Sequence, residues 1–435
     1  MDPLTIDTRN GNPFANYVGR VDPAHFVGRQ EESDIIFNTV DQGGNVSITG
    51  LPRMGKTSIL YHSLLDRQKE LLHEKNMLVA GISMTANNST AFWKTIADRL
   101  DFLVGNEADE IDENDQRQRL FRRAEKYHNN ILVTTDSSTC RSMFKNYLSQ
   151  LKDNLHYRVV ICIDEFQSAT FLEKYDFMAM HEFSDAGLAI FVTASRKSFK
   201  TIELCCHKEA YFYKNFREIY IKSFSPDDAK LYWEHCKPRL NLDGAEWEEY
   251  MQNAVYYAGR HPALLNLFNH AAYEVLRRHA DDIEIAMLIL CDEEAMRPLL
   301  NGSNNEAGLR YQVTLLKEEE LLKPAIEWVA GPLAKATKDE AQQLVELGFL
   351  EEIPYEQKHK LFNGNEVGPW ALNKKQEVVG YVCFSHFYTR LFYYGFPISR
   401  KYDEIWYAAE NKMRAIIITY LMSEFGIDSL EIDEE

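Results

Sequence analysis

One stretch limits what this chain can fold into more than any other: Asn45-Val46-Ser47-Ile48-Thr49-Gly50-Leu51-Pro52-Arg53-Met54-Gly55-Lys56-Thr57-Ser58-Ile59-Leu60. A short β-branched run leads into Gly-x-x-x-x-Gly-Lys-Thr and then into an apolar-periodic segment, the strand, loop and helix order of a phosphate-binding P-loop. Gly50 and Gly55 let the backbone turn tightly with its N–H groups aimed inward, and the following helix adds its partial positive end. Pro52, Arg53, Met54 and Ser58 complete the cradle. Lys56 is placed to reach the β- and γ-phosphates of a bound nucleotide, and the Thr57 hydroxyl to take one position on Mg2+.

A second anchor is Arg158-Val159-Val160-Ile161-Cys162-Ile163-Asp164-Glu165-Phe166. An apolar run of this kind reads as a strand buried on both faces, and its carboxyl end is where parallel sheets hold ligands. Asp164 there suits a Mg2+ site, and Glu165 suits the carboxylate that orients or deprotonates an attacking water. A further strand, 189–193, runs into Ala194-Ser195-Arg196, so Arg196 emerges at the same edge as a candidate γ-phosphate sensor. Strands are also expected over 76–84 and 218–221, and helices over 88–104 and 137–155. The charge-dense stretch 105–130, with Arg117, Arg119, Arg122 and Arg123, reads as a solvated surface helix.

The flanks suggest more domains. At 435 residues the chain is long enough for about three. Residues 1–25 read as an arm, 26–222 as the P-loop domain and 223–302 as a helical lid. Within the lid, Ala258-Gly259-Arg260-His261-Pro262 punctuates two helices. A linker at 299–305 precedes a helix–helix–strand–strand pattern over 303–398, a winged helix. Its presumed recognition helix carries Asp339, Glu340 and Glu346 against Lys338, the wrong sign for reading a DNA groove. Residues 399–425 read as a helix and 427–435 as an acidic tail.

Net charge is −18, with a pI near 5.3, so nucleic acid is not an expected partner. No apolar run reaches the length of a membrane span, and no secretory h-region is visible. The seven cysteines show no CxxC spacing and read as free thiols, which with the other signals suggests a cytoplasmic protein.

As an ordered set, these residues resemble the STAND branch of P-loop ATPases, relatives of AAA+ proteins that include NB-ARC proteins and the archaeal ATPase group. The resemblance covers roughly 26–394. It rests on Phe26-Val27-Gly28-Arg29, the Gly50–Ser58 loop, Asp164-Glu165-Phe166, Thr193-Ala194-Ser195-Arg196, the Gly259–Pro262 element and Phe384-Ser385-His386-Phe387. Arg260 departs from it, standing where a small residue is usual.

What the resemblance implies is an α/β parallel-sheet core followed by a helical lid and a winged helix. The chain would be a slow ATPase using ATP/ADP and Mg2+, whose hydrolysis controls oligomerisation or a partner effector in defence or signalling. ADP would hold the closed state, and ATP exchange would open an oligomerising surface. In that scheme Val27, Gly28 and Arg29 border the base, Pro262 packs on adenine, and His386 reaches the ADP β-phosphate. No fused effector or solenoid repeat is visible, so a separate protein chain is expected to supply the output, with a homo-oligomer in the ATP state. The alternative on the same core is a DNA-acting initiator- or transposition-type ATPase with a DNA-binding winged helix.

Overall fold

Five runs rich in β-branched and other apolar residues pair into one parallel sheet. They are β1 (Asn45–Thr49), β2 (Met77–Ser83), β3 (Arg158–Asp164), β4 (Ile190–Ser195) and β5 (Phe216–Tyr220). The computed structural model describes residues 12–14, 20–109, 116–206, 211–292, 295–296, 316–317, 320–322, 324–325, 338–346, 349–353, 380–383 and 385. The strand order is β2-β3-β4-β1-β5. Every described pair in this sheet is parallel, with Val46 opposite both Val192 and Arg217. The inner strands β1 and β4 are buried along their whole length, whereas β5 exposes Arg217. That is the pattern of an edge strand with one neighbour.

The order decides where a ligand can sit. The chain leaves β1 for β2, three places away, and β3 and β4 fill the gap between them. The carboxyl ends of β1, β3 and β4 are therefore neighbours, and a crevice opens beyond them. β5 begins two residues before the expected strand, and Ile221 still donates its N–H to Thr49 O at 2.7 Å.

Helices cover both faces. α1 (Gln30–Asp41) precedes β1. α2 (Lys56–Leu60) continues through a wider π turn, Tyr61–Leu65, and is followed by α3 (Gln68–Lys75). Between β2 and β3 the chain inserts α4 (Ser89–Asp109), α5 (Gln116–Val133) and α6 (Ser137–Asp153). α5 is no fully solvated helix: Phe121, Ala124 and Ile131 are buried, while Arg117, Arg119, Arg122 and Arg123 stay exposed. The apolar residues recur at three- and seven-residue spacing, so one stripe packs and the arginines occupy the rest.

α7 (Lys174–Asp185) contributes Asp176, whose buried Oδ1 accepts from Ser89 Oγ, Trp93 Nε1 and Arg141 Nη1 at 2.6–2.8 Å. This satisfied carboxylate ties the insertion to α7. α8 (Phe199–Cys206) and α9 (Pro226–Leu240) follow, and Ser225 caps α9 by accepting Asp228 N–H.

The chain forms two compact units. The first is Met1–Asp243 with His261–Asn266, so it takes in α9; the second is Gly244–Arg260 with Leu267–Glu435. In the second, α10 (Gly244–Ala258), the body of α11 (Pro262–Arg278) and α12 (Ile283–Cys291) share a core in which Tyr257 stacks on Phe268. Further on, α13 (Lys338–Glu346) is followed by β6 (Leu350–Ile353) and β7 (Gly380–Cys383), which pair antiparallel with Leu350 opposite Cys383. Helix, strand and strand follow in the order of a winged helix. Ser385 Oγ donates to Tyr257 O at 2.8 Å. His386, the 299–305 linker and residues 399–435 lie outside the described residues. Among the described residues, no helix is long and apolar enough to cross a membrane.

Candidate functional site

The phosphate loop is fixed from below before any ligand is considered. Asn45, at the foot of β1, accepts Phe191 N–H at 2.8 Å and donates to Ser184 Oγ at 2.8 Å, which locks β1 against its neighbours. At the top, Gly50 passes so close to the chain after β5 that a Cβ there would lie 2.5 Å from Ile221 O. Arg53 and Gly55 adopt left-handed backbone, φ 66° and 91°, so the loop curls and α2 starts at Lys56.

Three side chains then converge. Lys56 is buried, and its Nζ donates to Leu51 O at 2.8 Å. Thr57 Oγ1 donates to Asp164 Oδ2 at 2.7 Å, joining the loop to the end of β3. Glu165 follows in left-handed backbone, φ 56°, with its carboxylate exposed. Strain of this kind at a non-glycine residue is a feature of functional turns.

Electrostatics place the remaining groups. Burial pushes the Lys56 ammonium down to about 8; Glu165 is the main opposing influence, followed by Asp164, while Arg196 and Arg53 act in the same direction as burial. Lys56 therefore feels both candidate catalytic groups, Glu165 and Arg196. Burial raises Asp164 above the usual carboxylate range, opposed by the Thr57 hydroxyl that donates to it. Two hard oxygen donors from separate elements, Thr57 and Asp164, meet at one point, and this donor set suits Mg2+.

Beside the loop lies a cavity of about 240 Å³, lined by Val27, Arg29, Met54, Gly55, Ser58 and Pro262 among others. Several of its walls come from residues with no motif around them. Pro13 and Phe14 belong to the arm; Tyr232, His235, Cys236 and Arg239 come from α9; Asn266 comes from α11. The α9 residues recur at three to four positions, one face of a helix, which is the sequence signal that would have found them. Arg239 Nη2 and His25 Nδ1 are 2.8 Å apart at this end. His235 Nε2 has no hydrogen-bond partner among the described residues, and burial lowers the His235 pKa.

The Val27-Gly28-Arg29 segment is held from behind. Gly28 (φ 73°) leaves no room for a Cβ, which would lie 2.7 Å from Asp228 Oδ1, and that same oxygen accepts Arg29 N–H at 2.9 Å. The buried Arg29 guanidinium pairs with Glu32 at 2.9 Å and donates to Lys222 O. Arg29 is thus a brace that joins the entry to α1 with the chain after β5, besides lining the cavity. His261 is fully buried and driven down to about 3, chiefly by desolvation, so its ring is neutral. Its Nδ1 accepts Leu264 N–H at 3.4 Å, steadying the first turn of α11, where Pro262 meets the cavity.

Loop, paired carboxylates and strand order define the class: a P-loop NTPase fold with the sheet order of AAA+ proteins. No protein-family model matches the sequence, and no curated protein matches it. Solved structures do. A Walker-type ATPase of Pyrococcus abyssi is similar at 16% identity and TM-score 0.48, covering 86% of this chain and 97% of its own. The ORC2 protein of Aeropyrum pernix, in ADPNP–ADP complexes, is similar at 11% identity and TM-score 0.49, covering 91% and 98%. The ORC1 protein of the same organism, in complex with DNA, is similar at 13% identity and TM-score 0.39, covering 79% and 89%. Likenesses this distant add nothing to what the sheet and the loop already define.

Proposed function

We propose that this chain is an ATP-dependent regulatory switch: it binds ATP or ADP with Mg2+, hydrolyses ATP slowly, and couples the nucleotide to assembly or to a partner protein. The observation that carries the reading is the continuity of the cavity with the loop. Met54, Gly55 and Ser58 face the same space as Pro262, so one ligand with a polyphosphate at one end and a flat base at the other fits both.

Each residue has a defined task. The backbone N–H groups of Gly50–Lys56, other than Pro52, and the Lys56 ammonium bind the β- and γ-phosphates. Thr57 and Asp164 would hold Mg2+, which would offset the negative charge of those phosphates. Glu165 orients the attacking water and takes its proton, and Arg196 balances charge building on the γ-phosphoryl oxygens. Val27 and Pro262 supply apolar faces for the base.

The switch part rests on the resemblance to STAND ATPases, with a P-loop domain over 26–222, a lid over 223–302 and a winged helix over 303–398. In this reading His386 touches ADP and holds the closed state. An ATP-state homo-oligomer and a separate effector chain would provide the output.

The test is thermal melting of wild type and His386→Ala with and without saturating ADP, together with particle mass in ADP and in ATP. A nucleotide clamp predicts a smaller ADP-induced shift in the variant and a larger particle in ATP. Equal ADP shifts would remove His386 from the site, and a particle of the same mass in both nucleotides would remove the assembly output. The DNA-acting alternative enters the same experiment as a mobility shift at two salt concentrations, since phosphate-backbone binding weakens steeply with salt.

A further inference from the structure

Gln167 lies two residues past Glu165, in the short turn Phe166–Ser168 that follows β3. Its amide nitrogen donates to Glu165 Oε2. Its amide oxygen accepts the backbone N–H of Arg196 at 3.2 Å. A single planar group thus links the carboxylate at the end of β3 to the segment after β4 that carries Arg196.

The turn beneath it is rigid. Phe166 is fully buried and stacks on Phe199, with ring centroids 5.3 Å apart and planes 4° from parallel. Ser168 N–H closes the turn on Glu165 O at 3.0 Å, and Ala169 N–H reaches Phe166 O at 3.0 Å. With the backbone fixed in this way, the reach of the Gln167 side chain decides where the Glu165 carboxylate points. Glutamine suits the position because a primary amide donates and accepts at once. A methionine of similar length would do neither, and a glutamate would place a second carboxylate against the first.

We propose that Gln167 is a positioning residue for hydrolysis: it aims Glu165 at the attacking water and ties that aim to the Arg196 segment. The proposal rests on the ATPase reading of the site. Holding Oε2 leaves Glu165 Oε1 for the water. Because the other end of the amide is on the Arg196 backbone, a shift of that segment as Arg196 engages a γ-phosphate is passed to Glu165 through one side chain.

The experiment measures ATP affinity, steady-state turnover and melting temperature for wild type, Gln167→Met and Gln167→Glu. In Gln167→Met we expect kcat to fall about tenfold, the loss of one hydrogen bond to a charged group, with ATP affinity within about twofold of wild type. In Gln167→Glu we expect kcat to fall further at the same ATP affinity, since a like charge there repels the carboxylate it should hold. Unchanged kcat in both variants, at any melting temperature, would overturn the proposal and leave the ATPase reading standing. Wild type that binds ATP but never turns it over would overturn both, and that result is visible before any variant is made.

Discussion

The two halves of the proposed site are built on opposite plans. The proposed phosphate half is nine consecutive residues, Gly50–Ser58, with Asp164, Glu165 and Arg196 at or just past the ends of the adjacent strands β3 and β4. The proposed base half is the cavity walled by the arm, the Val21–Arg29 entry, α9 and the start of α11. A ligand with a fixed, highly charged group needs N–H donors at fixed spacing, and only a contiguous loop holds them to that tolerance. A flat apolar ring needs surface, and many residue types from many segments can supply it.

The contrast is broken most severely by Lys56→Met. Removing the ammonium should weaken ATP binding by at least about a hundredfold, as read by calorimetry, because the β- and γ-phosphate charge loses its buried partner. The same variant should melt higher than wild type without ligand. Burial holds the Lys56 pKa at about 8 against an ordinary 10.5, so at neutral pH the charged form is penalised by up to about 3 kcal/mol. A variant that loses both binding and stability would contradict the reading of Lys56 as a functional cation held at a structural cost.

Next in size is Glu165→Gln, which keeps shape but cannot accept a proton. Turnover should drop by about a hundredfold while ATP affinity stays near wild type. Equal turnover would move the catalytic carboxylate elsewhere.

The pH dependence of binding sharpens the comparison. A bound phosphate stabilises the charged Lys56 and raises its pKa above the free value of about 8. Above that pH the free amine must take up a proton on binding, so ATP affinity should fall as pH rises, by at most about tenfold per unit. Adenosine, which has no phosphate to meet Lys56, should bind with no such slope. A parallel slope for both ligands would mean that the two ends are not independent.

The smallest effect belongs to the base end. Pro262→Ala should weaken ATP and adenosine alike by about fivefold, the loss of part of one apolar wall. An effect on ATP alone would place Pro262 nearer the phosphates than the cavity does.

This division also explains what was readable in the sequence. Lys56, Thr57, Asp164 and Glu165 were legible because backbone geometry and charge fix both residue type and spacing. The parallel sheet was legible in the same way, because β1, β3 and β4 are rich in β-branched and other apolar residues and run into the motif residues at their carboxyl ends. The arm's Phe14 was not: nothing in a Pro- and Gly-containing segment says that this residue will be 3% exposed and line the cavity. His25 and Arg239 meet across more than two hundred positions of chain, and no local pattern records such a meeting. Gln167 was hidden differently. Its neighbours were recognised, but its role depends on a left-handed turn at Glu165 that no residue preference announces. The surface reading of 105–130 missed the buried stripe of α5 because the arginines between its apolar residues dominated the composition.

The first glycine of the loop has a consequence for descent. The space denied to a side chain at Gly50 is filled by Ile221 O, part of the protein's own backbone. That requirement survives with or without nucleotide. Lys56 is under the opposite pressure, since its burial is unfavourable once there is no phosphate to meet. A lineage that abandoned the nucleotide would therefore shed Lys56 early and keep Gly50 long afterwards, so the motif would decay from its helix end toward its strand end. A relative that shows the glycine without the lysine would be such a fossil, with an intact sheet and an inert site.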